Sequence, residues 1–88
     1  MTRYWFEFDF NTYEKKIPPG LCYGCGITAR DYNHAISLLK DKIFLDKNMP
    51  PISKCIENVD INTLDESKVI PNMTPPIYMG IWFPMRYQ

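Results

Sequence analysis

The sequence predicts a single α+β domain in two layers, with a four-stranded, mostly antiparallel sheet and one main helix on one face. Three segments alternate between apolar residues and other residues, which is the period of a strand, and a fourth strand segment has apolar residues at both parities. One segment has apolar residues at helical spacing, and the elements follow in the order β-β-α-β-(short helical turn)-β. With 88 residues and no long linker, the chain is expected to form one domain, residues 1–88.

The first predicted strand covers residues 3–10, where aromatic residues recur at every second position. One face carries Tyr4, Phe6, Phe8 and Phe10. The other face carries Trp5, Glu7 and Asp9. Aromatic residues at period two are typical of a strand with one buried face.

The second predicted strand covers residues 21–27, and its two faces differ strongly in bulk. Leu21, Tyr23, Cys25 and Ile27 lie on one face. The other face has only Cys22, Gly24 and Gly26. A strand face without side chains indicates that another part of the protein lies close against the backbone.

The main helix is predicted to begin at Thr28, because Thr28 and Asp31 have the spacing of a capping box. Its apolar stripe consists of Tyr32, Ala35, Ile36, Leu39 and Ile43. Lys40 and Lys42 lie in the last turn, where positive charges interact favourably with the negative end of the helix dipole. The prolines at positions 50 and 51 follow the end of the helix.

The third predicted strand lies within residues 52–61, where apolar residues occur on both faces. This pattern favours an interior strand, which a right-handed parallel crossover would place beside an earlier strand. Thr63 and Glu66 match a capping box, so a short helical turn is expected there, ending at Pro71. Residues 77–83 alternate again and form the fourth predicted strand.

One helix of about four turns covers only one face of four strands. The second face is therefore expected to be solvated or to meet a partner. The predicted binding surface consists of Trp5, Glu7, Asp9, Tyr78 and Trp82. Exposed aromatic residues on a sheet are typical of protein interfaces, so we expect a protein partner or self-association as a homodimer, through this face or through an edge strand.

The alternative is a small zinc- or thiol-dependent protein built on Cys22, Cys25, Cys55 and His34. The first two have C-x-x-C spacing, and all four together would give the Cys3His set of a closed zinc site. However, strand positions three residues apart point to opposite faces, which opposes joint ligation by Cys22 and Cys25. No metal or other cofactor is therefore favoured, and zinc stays the alternative.

Composition and missing motifs argue against several other functions. Ten basic and ten acidic residues cancel, whereas nucleic-acid-binding domains have a basic surplus. No segment is long and apolar enough to span a membrane, and the first segment carries carboxylates where a secretory signal would be apolar. Three cysteines make a poor disulfide framework and favour the cytoplasm. One histidine and no phosphate-binding loop predict a protein that is not an enzyme and has no identifiable small-molecule ligand.

Four parts of the sequence carry a resemblance to a family of small bacterial proteins. They are residues 4–9 (YWFEFD), 24–29 (GCGITA) with 31–32 (DY), 70–73 (IPNM) and 80–84 (GIWFP). The family is uncharacterised, so the resemblance implies a bacterial cytoplasmic origin and no activity. Size and composition suit a regulatory or interaction module, and an immunity or antitoxin protein is one such setting.

Overall fold

The computed structural model describes residues 1–46 and 48–87. These residues form the predicted α+β fold, with one α-helix and one four-stranded sheet. The elements are β1 (Thr2–Phe8), β2 (Cys25–Ala29), α1 (Tyr32–Lys42), β3 (Ile52–Glu57) and β4 (Gly80–Phe83). The strand order is β3-β1-β2-β4, and all three neighbouring pairs are antiparallel.

The helix covers the sheet face that carries Tyr4 and Phe6, and the apolar stripe predicted from the sequence accounts for this packing. Ala35 and Leu39 of α1 are fully buried against this face. Ile43, just beyond the helix, closes the same cluster and donates its backbone N–H to the Leu39 carbonyl at 3.0 Å.

The predicted start of the helix at Thr28 is wrong, because the cap lies three residues later and α1 begins at Tyr32. The helix is capped by Asp31, whose side chain accepts the backbone N–H of His34 at 2.8 Å. Thr28 instead belongs to β2, where it pairs with Arg3 of β1. Residues up to Ala29 are paired in the sheet and cannot join the helix. After them, Asp31 is the first residue whose side chain can cap a helix.

The second strand begins later than predicted, because residues 21–24 form turns. The backbone N–H of Gly24 is donated to the Leu21 carbonyl at 3.1 Å. The predicted close approach to the glycine face is confirmed. A Cβ atom on Gly26 would lie 2.3 Å from the Trp82 ring, and one on Gly24 would lie 2.4 Å from the Trp5 ring.

The prediction that β3 is an interior strand reached by a parallel crossover is wrong. β3 lies at the edge of the sheet and pairs antiparallel with β1. Apolar residues occur on both of its faces for a different reason. Ile52 packs against the core beneath the helix, whereas Ile56 pairs with Trp5 on the opposite face. Val59 and Ile61 lie beyond the strand and contribute to a second core.

This second core covers the sheet face that was predicted to be open. After β3, residues 59–73 cross the second face of the sheet, so that Val59, Leu64 and Val69 are buried against it. Trp5, Trp82 and Phe83 complete this cluster from the sheet. The chain therefore supplies its own third layer, which consists of short turns and has no long helix.

Two aspartates, Asp60 and Asp65, organise the covering segment, in place of the Thr63 and Glu66 side chains that were predicted to form a capping box. Asp60 caps a short 3-10 turn, Ile61–Thr63, by accepting the backbone N–H of Asn62 at 3.0 Å. The Asp65 carboxylate accepts the backbone N–H groups of Ser67 and Lys68, both at 2.8 Å. Hydrogen bonds from the Ser67 side chain and from these backbone groups hold the pKa of Asp65 below its usual range.

Candidate functional site

The two tryptophans of the predicted binding surface are buried, so the expected aromatic face is not exposed. Trp5 is 3% exposed and Trp82 is 1% exposed. Their rings stack with centroids 6.0 Å apart. The indole N–H of Trp5 donates to Glu7 Oε2 at 2.9 Å, so the Glu7 carboxylate serves as an internal hydrogen-bond acceptor. Asp9 is exposed and accepts the backbone N–H of Asn11 at 2.9 Å, which stabilises the turn after β1.

Tyr78 is the aromatic residue of the predicted set that is exposed. It lies between Ile77 and Met79, and the exposed fractions of these three side chains are 76%, 68% and 54% in chain order. We call Ile77, Tyr78 and Met79 the apolar tip. The predicted fourth strand began at residue 77, but β4 begins at Gly80, so the apolar tip is a loop whose side chains are not shared between two faces of a sheet.

The loop that carries the apolar tip is attached to the sheet on both sides. Before the tip, the Pro76 carbonyl accepts a hydrogen bond from the Thr28 hydroxyl at 2.5 Å. The backbone N–H of Thr74 donates to the Trp82 carbonyl at 2.9 Å. After the tip, Gly80 of β4 pairs with Thr28 of β2, and its φ of 128° is one that glycine adopts without steric cost. These anchors favour an apolar tip that is presented at a fixed position beside β4.

An apolar cleft of about 330 Å³ adjoins the tip. Its lining residues are Thr74, Pro75, Tyr78, Met79, Ile81 and Trp82, together with Gly80. The indole nitrogen of Trp82 is buried and finds no hydrogen-bond partner within the described part of the chain. A buried donor without an acceptor destabilises the protein by about 1–3 kcal/mol, so this end of the sheet combines exposed apolar surface with an unsatisfied polar group.

A larger cleft of about 380 Å³ lies near Pro84 and Tyr23 and has two cations, Lys68 and Arg86, in its lining. Both cations are at exposed positions. Since water and salt screen exposed charges, a bound anion would gain little from them. This cleft therefore offers a weaker basis for a function than the apolar tip does.

The structure separates the cysteines that the zinc alternative requires. Cys25 on β2 and Cys55 on β3 both pair with Phe6 of the intervening β1. Two strand spacings place their backbones roughly 10 Å apart, whereas Zn–S bonds are about 2.3 Å long. Cys25 is fully buried, and burial raises the pKa of its thiol. Cys22 is exposed in the turn before β2.

His34, the fourth candidate ligand, lies in the first turn of α1. Its Nδ1 atom accepts the backbone N–H of Arg30 at 3.1 Å, so one of its two ring nitrogens already has a partner. Among residues 1–46 and 48–87, no group of three or more histidine, cysteine, aspartate or glutamate side chains is arranged to hold a metal ion.

The outer edge of the sheet at β3 is the second exposed feature. Residues 53–57 are all exposed. Within the described ranges no strand pairs with the outer side of β3. An edge strand directs the backbone N–H and C=O groups of alternate residues away from its sheet, where they can pair with another chain. The register with β1 shifts between Glu7 and Phe8, so that Lys54 and Ile52 pair with β1 while Ser53 does not.

The sequence contained a signal for the apolar tip that strand periodicity concealed. Pro75 and Pro76 directly precede three consecutive large apolar residues, and prolines favour a loop at that position.

No α-helix in the described part of the chain is long and apolar enough to cross a membrane. Comparison with protein-family models, curated proteins and solved structures finds no match. The resemblance to small bacterial proteins stays a prediction.

Proposed function

We propose that this protein is a non-enzymatic interaction module that binds a protein partner through the apolar tip and the adjoining cleft. The observation that carries the proposal is the consecutive exposure of Ile77, Tyr78 and Met79 on an anchored loop. Large apolar side chains scattered singly on a surface are ordinary, but a contiguous exposed group is typical of a contact site.

Both aromatic and sulfur-containing side chains suit such a contact. Tyrosine and methionine are enriched in protein interfaces, where tyrosine combines a large apolar ring with a hydroxyl group. The adjoining cleft is apolar and open, which suits an apolar side chain from the partner. The buried N–H of Trp82 favours a contact at the same end of the sheet, because a partner that reshapes the cleft would supply the acceptor that residues 1–46 and 48–87 do not provide.

The cellular setting belongs to the same proposal. Cys22, Cys25 and Cys55 are free thiols, which supports a reducing cytoplasm. A compact module with a surface for one partner would suit a bacterial regulator, and an immunity or antitoxin protein is the setting we favour. Its partner would then be a protein, with no nucleic acid or membrane involved.

Site-specific photo-crosslinking tests the apolar tip. Benzoylphenylalanine in place of Tyr78 is expected to give one discrete crosslinked species in the cells from which the gene comes. The same probe in place of Tyr23, which is 45% exposed in the turn before β2, is the matched control and is expected to give none.

The crosslink at position 78 should also weaken at least about tenfold when Ile77 and Met79 are both changed to serine, since loss of about 1.4 kcal/mol of apolar contact corresponds to a tenfold change in affinity. Equal crosslinking at positions 23 and 78, or no effect of the two serine substitutions, would contradict the proposed site. Circular dichroism of each variant verifies that the fold is retained.

A further inference from the structure

The outer edge of β3 has the length, exposure and charge pattern to pair with a second copy of the same strand. We infer that two chains associate through antiparallel pairing of their β3 strands, with Cys55 opposite Cys55 at the two-fold axis. This interface is distinct from the proposed docking site, because β3 and β4 lie at opposite edges of the sheet.

Three features leave this edge available. Every residue from 53 to 57 is exposed. The regular part of the strand contains no proline, which would remove a backbone donor. The chain as a whole has ten basic and ten acidic residues, so two copies approach without net electrostatic repulsion.

Symmetry restricts how β3 can pair with itself. In a continuous antiparallel sheet the two-fold axis is perpendicular to the sheet, so each residue faces a partner on the same side of the sheet. The axis must then pass midway between one residue and the same residue of the second copy, and we call this residue the centre of the register. Because Ser53 is not paired with β1, the regular part of the strand is residues 54–57. The possible centres that keep this part paired are Lys54, Cys55 and Ile56.

Charge and strand length select among these three registers. A centre at Lys54 would place two ammonium groups directly opposite each other, which destabilises a strand pair. A centre at Ile56 would place Lys54 opposite Asn58, which lies beyond the strand and has a φ of 53°.

A centre at Cys55 avoids both problems. It places Lys54 opposite Ile56, so that the lysine methylenes can cover the apolar side chain. It also places Ser53 opposite Glu57, and no like charges face each other. All of these residues belong to β3.

The resulting dimer would have a continuous eight-stranded sheet, with its two apolar tips beyond the outer strands. Both copies of β4 would lie at the far edges. If the apolar tip binds a partner, the dimer would present two docking sites, and a partner with two copies of its binding segment would gain avidity. This consequence rests on the proposed function, whereas the β3 pairing does not.

Cysteine crosslinking tests the register directly. Opposed residues in an antiparallel pair have Cβ atoms about 4.5–5.5 Å apart, close to the distance that a disulfide spans. Copper phenanthroline with air, which oxidises two thiols to a disulfide, is expected to convert the purified protein to a covalent dimer. The Cys22→Ser variant should still crosslink and Cys55→Ser should not. Crosslinking that is retained in Cys55→Ser and lost in Cys22→Ser would overturn the proposal.

Light scattering without oxidant tests the association itself. The wild-type protein is expected to have the mass of a dimer. Cys55→Lys places two ammonium groups at the axis and is expected to give a monomer, whereas Cys22→Lys, at the other exposed cysteine, should remain a dimer. A monomeric wild-type protein, or a Cys55→Lys variant that stays dimeric with an unchanged circular dichroism spectrum, would overturn the pairing.

Different substitutions test the two interfaces separately. Substitution of Ile77 and Met79 by serine should leave the mass of the dimer unchanged. Substitution of Cys55 by lysine should leave the crosslink at position 78 in place, with at most a loss of avidity.

Discussion

Gly26→Ala is expected to lower the free energy of unfolding by about 3 kcal/mol or more, which is a large part of the stability of a small domain. The new Cβ atom would lie 2.3 Å from Cζ3 and Cη2 of Trp82. Gly26 is in the interior strand β2, which is paired on both sides, so the backbone cannot move away without breaking the sheet. Urea denaturation followed by circular dichroism measures the loss.

Gly80→Ala is the control for this substitution. Gly80 has a φ of 128°, unlike Gly26, but a Cβ atom there meets nothing within 4 Å. Its substitution should destabilise the protein less than Gly26→Ala does, because only backbone strain is added. The double variant Gly26→Ala/Trp82→Phe should recover part of the loss, since the smaller ring leaves space for the new methyl group. Equal losses for Gly26→Ala and Gly80→Ala would contradict the close packing of Trp82 on β2.

Trp5→Phe is expected to destabilise the protein by about 2 kcal/mol more than Trp82→Phe does. Both substitutions remove a similar volume from the same buried cluster. They differ in hydrogen bonding, because Trp5 donates to Glu7, whereas Trp82 finds no acceptor among the residues that the structure describes. Loss of the Trp5 donor leaves a half-buried carboxylate without its partner, whereas loss of the Trp82 donor removes an unsatisfied group.

The comparison of the two tryptophan variants uses urea denaturation under the same conditions. A Glu7→Gln variant is a useful reference, because its amide can still accept a hydrogen bond from Trp5. Glu7→Gln should therefore lower the free energy of unfolding less than Trp5→Phe does. If Trp82→Phe were the more destabilising of the two tryptophan substitutions, the assignment of their hydrogen bonds would be wrong.

The fold class and element order could be predicted because the local patterns were strong. The alternation around Phe6 and the apolar stripe through Leu39 each specify an element with one buried face. The bare glycine face of β2 correctly indicated close contact with another part of the protein. The position of β3 could not be predicted in the same way, because apolar residues on both of its faces arise from two different cores and do not indicate an interior strand.

The candidate site was predicted less well, for a physical reason that concerns residues 59–73. This segment has little regular secondary structure, so neither a period of two nor a helical period indicates what it covers. Its buried residues, such as Val59 and Val69, are widely spaced along the chain. Without them the second sheet face had to be predicted as open, and Trp5 and Trp82 as exposed. Tyr78 was correctly predicted as exposed, although it lies on a loop and not on the sheet face.

Acrylamide quenching of tryptophan fluorescence tests the central claim most directly, namely that the chain covers the second face of its own sheet and leaves the apolar tip for contacts. Trp5 and Trp82 are the two tryptophans of the sequence, so the signal reports on this face alone. We expect blue-shifted emission and weak quenching in the native protein, with a red shift and strong quenching in urea. Red-shifted, readily quenched emission from the native protein would show that the face is open and would contradict the claim.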